Sequence, residues 1–192
     1  MERLEAEGLR LFSEEGYDRA SVEQIAAAAG VARGTFYLYF KDKHALFQAI
    51  ANHWSLDVIA LHEGVDRDLS QATTRQQCLE VYQRMGAGLA VIGLSNRAEI
   101  LLALRESRRL GEAGEGLRRL EVSLLDKVTG FTEEVVKRGL LELEHPRLAC
   151  TLVYGAVERL FYEVLLDSDL GDVGSVARRT VAIFGRGMGL LP

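Results

Sequence analysis

With 192 residues, 48% of them hydrophobic and 27% charged, the chain can form one medium domain or a small module joined to a larger one, and disorder is excluded. No apolar run approaches the ~18 residues that span a bilayer, and the acidic, amphipathic start MERLEAEGLRLF is wrong for a signal or transit peptide. With a net charge of −5 and two isolated cysteines, Cys78 and Cys150, these features predict a soluble cytoplasmic protein without a disulfide framework or metal site.

Helical periodicity runs throughout and no segment alternates as a strand would, so the expected fold is all-α, with about nine helices. The first covers about residues 2–14, burying Leu4, Gly8, Leu11 and Phe12, and Gly16 is placed to end it in a left-handed turn. Ser21 opens the second, and Gln24 three positions later completes a capping box. Gly30 breaks that helix, and a short third follows at about residues 32–39. Asp42 caps a long fourth, with Phe47, Ile50, Trp54, Val58 and Leu61 as its apolar stripe. Beyond Gly64 the helices lengthen, at about residues 73–92, 96–110, 115–140, 146–166 and 172–190. Ser95 and Asp172 suit N-caps, Pro146 suits a first helical position, and Gly93, Gly111, Gly139 and Gly171 punctuate the joins.

Between Ser21 and Phe47, Ile25, Ala26, Ala29, Val31, Phe36 and Tyr39 fall where two short, steeply crossed helices need apolar contacts, with Gly30 at the turn. That is the layout of a helix-turn-helix. An ordinary helical hairpin is the alternative, but it would seldom expose two tyrosines, a glycine and a threonine, all weak helix formers, on one short helix. Ser-Val-Glu-Gln-Ile-Ala, then Ala-Gly-Val-Ala-Arg-Gly-Thr-Phe-Tyr-Leu-Tyr-Phe-Lys-Asp-Lys, then Ala-Leu-Phe closely resembles the DNA-binding signature of the TetR family of transcriptional regulators. The resemblance extends back through Leu11-Phe12 and Glu15-Gly16-Tyr17-Asp18; the rest of the chain matches only in length and helical style.

The resemblance implies an N-terminal three-helix module, residues 1–44, and a larger helical ligand-binding and dimerisation domain, residues 45–192. It implies a homodimer on pseudo-palindromic operator DNA. Arg33, Gly34 and Thr35 would face base edges, with Arg33 on a guanine and Thr35 on a phosphate or thymine methyl. Tyr37 and Tyr39 would donate to phosphates, and Lys43 and Ser21 (or the Val22 amide) would meet phosphates at helix starts. Phe36 and Phe40 suit the core. Residues 1–50 carry six basic against eight acidic residues, but Ala32–His44 carries three basic against one acidic. Binding depends on local potential, so the acidic residues should lie away from the face bearing Arg33, Tyr37 and Lys43. Only Arg3 stands where many relatives carry a basic arm.

Other patterns are weaker. His44, His53 and His62 recur every nine residues, about two and a half helical turns, so neighbours face opposite sides and share no metal. Gly86-Ala-Gly88 and Gly185-Arg-Gly187-Met-Gly189 follow no strand and read as helix packing or fraying rather than phosphate loops. No nucleophile–base pair or carboxylate pair suggests an enzyme, and no cofactor is expected. Trp54 reads either as core or as a pocket-lining group on the helix that joins the two parts. Arg105 and Arg109, with Arg108, Arg118 and Arg119 around the 111–116 loop, read as a solvated helix end or as a clamp for an anionic ligand such as an acyl-coenzyme A.

The last two helices are apolar on more than one face. Leu152, Gly155, Ala156, Leu160, Val176, Ile183 and Phe184 suit a four-helix dimer interface, with a buried monomer core as the alternative. The leading expectation is a repressor released by a small hydrophobic effector, without membrane contact. The alternatives are an effector-independent dimeric DNA-binding protein and a helical enzyme or adaptor.

Overall fold

The computed structural model describes residues 1–109, 111–166 and seven positions between 175 and 184. Eight helices are bounded among the described residues: α1 (Glu2–Glu15), α2 (Val22–Ala28), α3 (Arg33–Tyr39), α4 (Lys43–Gln71), α5 (Arg75–Ser95), α6 (Arg97–Glu106), α7 (Glu112–Lys137) and α8 (Pro146–Leu165). The described residues contain no strand, and the fold is all-α. The described positions from 175 to 184 are helical, while Gly171, Asp172 and the 185–189 glycines lie outside the described residues.

Packing divides the chain into two compact units, Met1–Leu56 with Asn96–Arg119, and Asp57–Ser95 with Leu120–Pro192. In the first, Leu4, Leu11 and Phe12 of α1, Ile25 and Ala26 of α2, and Phe36 of α3 join Leu46, Phe47 and Ile50 of α4 and Leu102 of α6 in one core. Gly8 allows the approach of α1 to α4: a Cβ there would stand 2.7 Å from Leu46 Cδ2. The capping box forms as expected, with the Ser21 hydroxyl accepting from the Gln24 N–H and Gln24 Oε1 accepting from the Ser21 N–H at 2.8 Å. Gly30 takes φ 70°, and the Val31 N–H reaches back to the Ala26 carbonyl, closing α2 with a left-handed turn. Gly16 also ends α1 at positive φ, but its ψ of 154° is extended rather than left-handed helical.

In the second unit, Val65 and Leu69 of α4 pack with Cys78, Leu79 and Val81 of α5, Phe131 and Val135 of α7, and Leu141. This explains why α4 continues past Gly64: Val65 and Leu69 prolong the stripe by about two turns, and that burial outweighs the ~1 kcal/mol that a helical glycine costs. Similarly, Gly93 lies within α5 rather than at a join, because a Cβ there would stand 2.1 Å from Phe161 Cε1 of α8. Gly88 is a packing glycine against Leu61. Ser95 is the last residue of α5 and not an N-cap; Asn96 holds that position for α6, without a side-chain bond. Gly139, at φ 71°, stops α7 at Lys137, three residues short of expectation. Arg138 then donates to the carbonyls of Leu69, at 2.7 Å, and of Ala72 at the end of α4.

His62 is buried in the second unit with Nδ1 2.7 Å from the Val58 carbonyl, and burial pushes its pKa below the ordinary 6.5. The unfolded chain therefore takes up a proton at pH values where the folded chain refuses it. Stability falls as pH drops from 6.5 toward the folded value, by about 1.4 kcal/mol per pH unit at most. Thermal melts between about pH 7 and 5 should show this decline, and His62→Gln should flatten it.

Candidate DNA-contacting face and effector cavity

The recognition hairpin is built from the inside out. Phe36 is 0% exposed and its ring stacks edge-on to Tyr37 and tilted to Phe40, so it pins α3 while its neighbours point outward. Arg33, Gly34, Thr35 by way of its half-exposed helical start, Tyr37 and Tyr39 all lie on accessible surface of α3. Tyr39, expected also to serve as a hairpin contact, is 53% exposed and packs little. A Cβ on Gly34 would meet nothing within 4 Å, so no contact inside the chain explains a glycine there.

Arg33 is paired within the chain: Nη1 lies 2.9 Å from Glu23 Oε1, and the guanidinium lies 5.7 Å from the centre of the Tyr37 ring. Glu23 thus stands on the basic face, contrary to the expectation that every acidic residue lies elsewhere. Both partners are exposed, so solvent screens the pair, it adds little to stability, and it is easily exchanged for another anion. Asp18 and Asp42 also stand beside basic residues: Asp18 pairs with Arg109 and its carbonyl meets Lys43, while Asp42 lies 3.9 Å from Lys41 and its Oδ1 accepts from the Ala45 N–H at 2.7 Å, capping α4.

Lys43 differs from expectation. Its ammonium donates to the carbonyls of Tyr17, Asp18 and Ala20 at 2.7, 3.2 and 2.9 Å and lies 4.5 Å from the centre of the Tyr17 ring. Burial holds its pKa below the usual lysine value, and burial with the Glu112, Asp42 and Asp18 carboxylates pushes the Tyr17 phenol up to about 12. The side chain therefore ties the loop between α1 and α2 to α4, leaving the backbone at the start of α4 as the part able to meet a phosphate. The Ser21 hydroxyl is likewise engaged with Gln24, whereas the Val22 amide is one of the first-turn donors of α2. Sequence reading passed over Leu38, which is 81% exposed and shares the face of Gly34 and Thr35 at helical spacing. Its signal was an apolar residue out of phase with the buried Phe36.

Arg105 and Arg109 are engaged within the chain and are not among the residues lining the cavity of the second unit. Arg105 Nη2 donates at 2.9 Å to the carbonyls of Phe12 and Ser13, capping the C-terminus of α1, and Arg109 Nη2 meets Asp18 Oδ2 at 2.7 Å. Their common neighbour, Glu106, is a buried carboxylate 3.5 Å from Arg109 Nε. The last carbonyls of α1, at the negative end of its dipole, suit Arg105, and the Asp18 carboxylate suits Arg109. Trp54 packs against the core of the first unit, its indole N–H buried without an acceptor among the described residues.

A cavity of about 170 Å³ lies instead in the second unit. Its wall includes Tyr82 and Leu89 of α5, Thr132 of α7, and Cys150, Val157 and Phe161 of α8. Three residues expected at a dimer interface, Leu160, Val176 and Phe184, line this cavity. Leu152, Gly155 and Ile183 are exposed, and Ala156 is half-buried. The two-sided apolarity of α8 is thus divided: one face walls the cavity, and the other presents Leu148, Leu152, Gly155 and Leu166 outward.

Residues 6–50 match the family described as bacterial regulatory proteins, tetR family. Over 52 residues the chain is 46% identical to the HTH-type transcriptional regulator YvdT of Bacillus subtilis, covering 27% of each protein. Matches to the first five curated regulators span 16% to 31% of those proteins' lengths. A longer match, 25% identical over 183 residues, covers 94% of this chain and 91% of the Bacillus subtilis fatty acid metabolism regulator protein. The solved structure of the regulator FadR from Bacillus subtilis in complex with stearoyl-CoA shares the fold, with a TM-score of 0.73 and 17% identity over 100% of this chain and 99% of that one.

Proposed function

The chain belongs to the TetR family of transcriptional regulators, and from that premise we propose that it is a cytoplasmic homodimeric repressor, released from a pseudo-palindromic operator by a small hydrophobic effector. The observation that carries this reading is α3 itself: a helix anchored by one buried phenylalanine, whose outward face exposes Arg33, Gly34, Tyr37, Leu38 and Tyr39. Residues 1–44 read DNA, and residues 45–192 bind the effector and dimerise. Arg33 exchanges Glu23 for a guanine edge, while Thr35 and Leu38 meet a phosphate or thymine methyls. Tyr37 and Tyr39 donate to phosphates, joined by the backbone amides at Val22 and Lys43. Ser21 and the Lys43 ammonium hold those amides in place.

The outward face of α8 with Ile183 pairs two subunits, which sets the spacing of their recognition helices. The effector enters the apolar cavity of the second unit. The fatty-acid regulator matched over most of the chain and the fold shared with an acyl-CoA complex support an apolar ligand. Release requires that the ligand prefer a conformation in which the two helices no longer fit the operator.

Selection of duplexes from a random pool tests this, with half-sites about one helical turn apart as the expected result. No enriched palindrome would remove the reading. Gly34→Ala sharpens the test through its opposite signs. It should stabilise the protein by roughly 0.5–1 kcal/mol, as an exposed helical glycine replaced by alanine does. It should also weaken binding to the selected duplex about tenfold, because a methyl separates backbone from DNA. Melting curves and fluorescence anisotropy measure the two effects.

A further inference from the structure

The cavity of the second unit has a definite size and chemistry. At about 170 Å³ it compares with the ~150 Å³ that admits a benzene molecule. Among the described residues its lining includes no charged side chain, so an ionised group there would lose its hydration without a counter-charge from them. Among the described lining residues, four side chains carry a polar hydrogen: Tyr82, Thr132, Cys150 and Thr180. Thr180 spends its hydrogen on the Val176 carbonyl at 2.8 Å. The Cys150 thiol, a weak donor, has the Val128 carbonyl at 4.0 Å, and burial raises its pKa, so it stays protonated and unreactive.

The Tyr82 and Thr132 hydroxyls lie 2.9 Å apart. That single bond uses one of their two hydrogens, and the other finds no oxygen acceptor among the described residues, only the Cys150 sulfur beside Thr132. Burial also raises the Tyr82 pKa, which keeps the phenol neutral and a donor. A buried donor left without an acceptor is costly, so a ligand oxygen at this pair gains from meeting it.

We propose that this cavity takes an uncharged molecule of about one aromatic ring bearing a single hydrogen-bonding oxygen, a phenol or simple aryl ketone, with the Tyr82–Thr132 pair as its polar anchor. The proposal rests on the reading of the cavity as the effector site. It favours a compact neutral ligand over an ionised one, since a carboxylate meets no cation among the described residues of the wall.

The test uses the full chain and four probes: p-cresol, toluene, benzoate and palmitoyl-CoA, titrated by calorimetry. Saturable binding of p-cresol and toluene, with none of benzoate, is expected. Tyr82→Phe should weaken p-cresol about tenfold and leave toluene unchanged, the selectivity that loss of one hydrogen bond predicts. Ala149→Phe, which fills the cavity from α8, should remove both ligands from a protein that still melts cooperatively. Benzoate binding as well as p-cresol, an unchanged p-cresol-to-toluene ratio in Tyr82→Phe, or undiminished binding in folded Ala149→Phe would each overturn the assignment. Anisotropy with the selected duplex separates the two readings. Binding of p-cresol without change in DNA affinity supports this assignment and sinks the effector reading. Release by palmitoyl-CoA, with neither ring compound bound, overturns the assignment and leaves the effector reading intact.

Discussion

Phe36→Ala is expected to destabilise the first unit by about 3–5 kcal/mol and to abolish operator binding, because it empties the centre of the recognition hairpin. The ring is 0% exposed, packs edge-on to Tyr37 and tilted to Phe40, and belongs to the core that α1, α2 and α4 share. Removing it leaves α3 seven residues long and with no other buried side chain of its own. A helix that short does not persist without packing. Melting followed by far-UV circular dichroism should show the transition lowered by roughly 10 °C. Phe36→Leu, which keeps most of the volume, should retain both fold and binding. If Phe36→Ala bound DNA normally, α3 would not need to be held rigid, and the hairpin would not be the reading element.

Gly155→Arg is expected to dissociate the proposed dimer without harming the subunit. A Cβ at Gly155 meets nothing within 4 Å, and the residue is exposed on α8 beside Leu148 and Leu152. In the lone subunit the change gains helix propensity, about 0.7 kcal/mol or slightly more. Across an apolar interface it inserts a charge where two helices should approach closely, which costs several kcal/mol. Sedimentation at about 10 µM should report monomer, and affinity for the palindrome should fall at least ~100-fold because the second half-site no longer adds to the first. A variant that remained dimeric would place the interface on another surface.

The three N-terminal helices were legible because their determinants are local. The Ser21–Gln24 capping box, the positive φ of Gly30, the Asp42 cap and the buried Phe36 each act within about four residues, and each stands where the spacing put it. The long helices were legible as elements, but not at their ends. Gly64 looked like a stop and is not, because Val65 and Leu69 find a core on its far side. Gly93 looked like a join and is a contact point for Phe161.

Charged residues were the least legible. The sequence leaves Arg105 and Arg109 as either a solvated helix end or an anion clamp and suggests Lys43 as a phosphate contact, yet each holds backbone carbonyls or a carboxylate within its own unit. A long cationic side chain goes to the nearest unsatisfied oxygen, and which oxygen is near is a matter of how α6 and α4 pack on α1, not of spacing along the chain. The same holds for α8. Its sequence announces two apolar faces, but only the packing of α5 and α7 against it decides that Leu160 walls a cavity while Leu152 looks outward. By itself, then, the sequence determined the helices as elements, the caps of the N-terminal ones and the helix-turn-helix layout, since these follow from short-range sterics and hydrogen bonding. The cavity, its neutral lining and the employment of the arginines were decided by tertiary structure, because residues 50 or more positions apart, such as Tyr82 and Thr132, meet only when the helices pack.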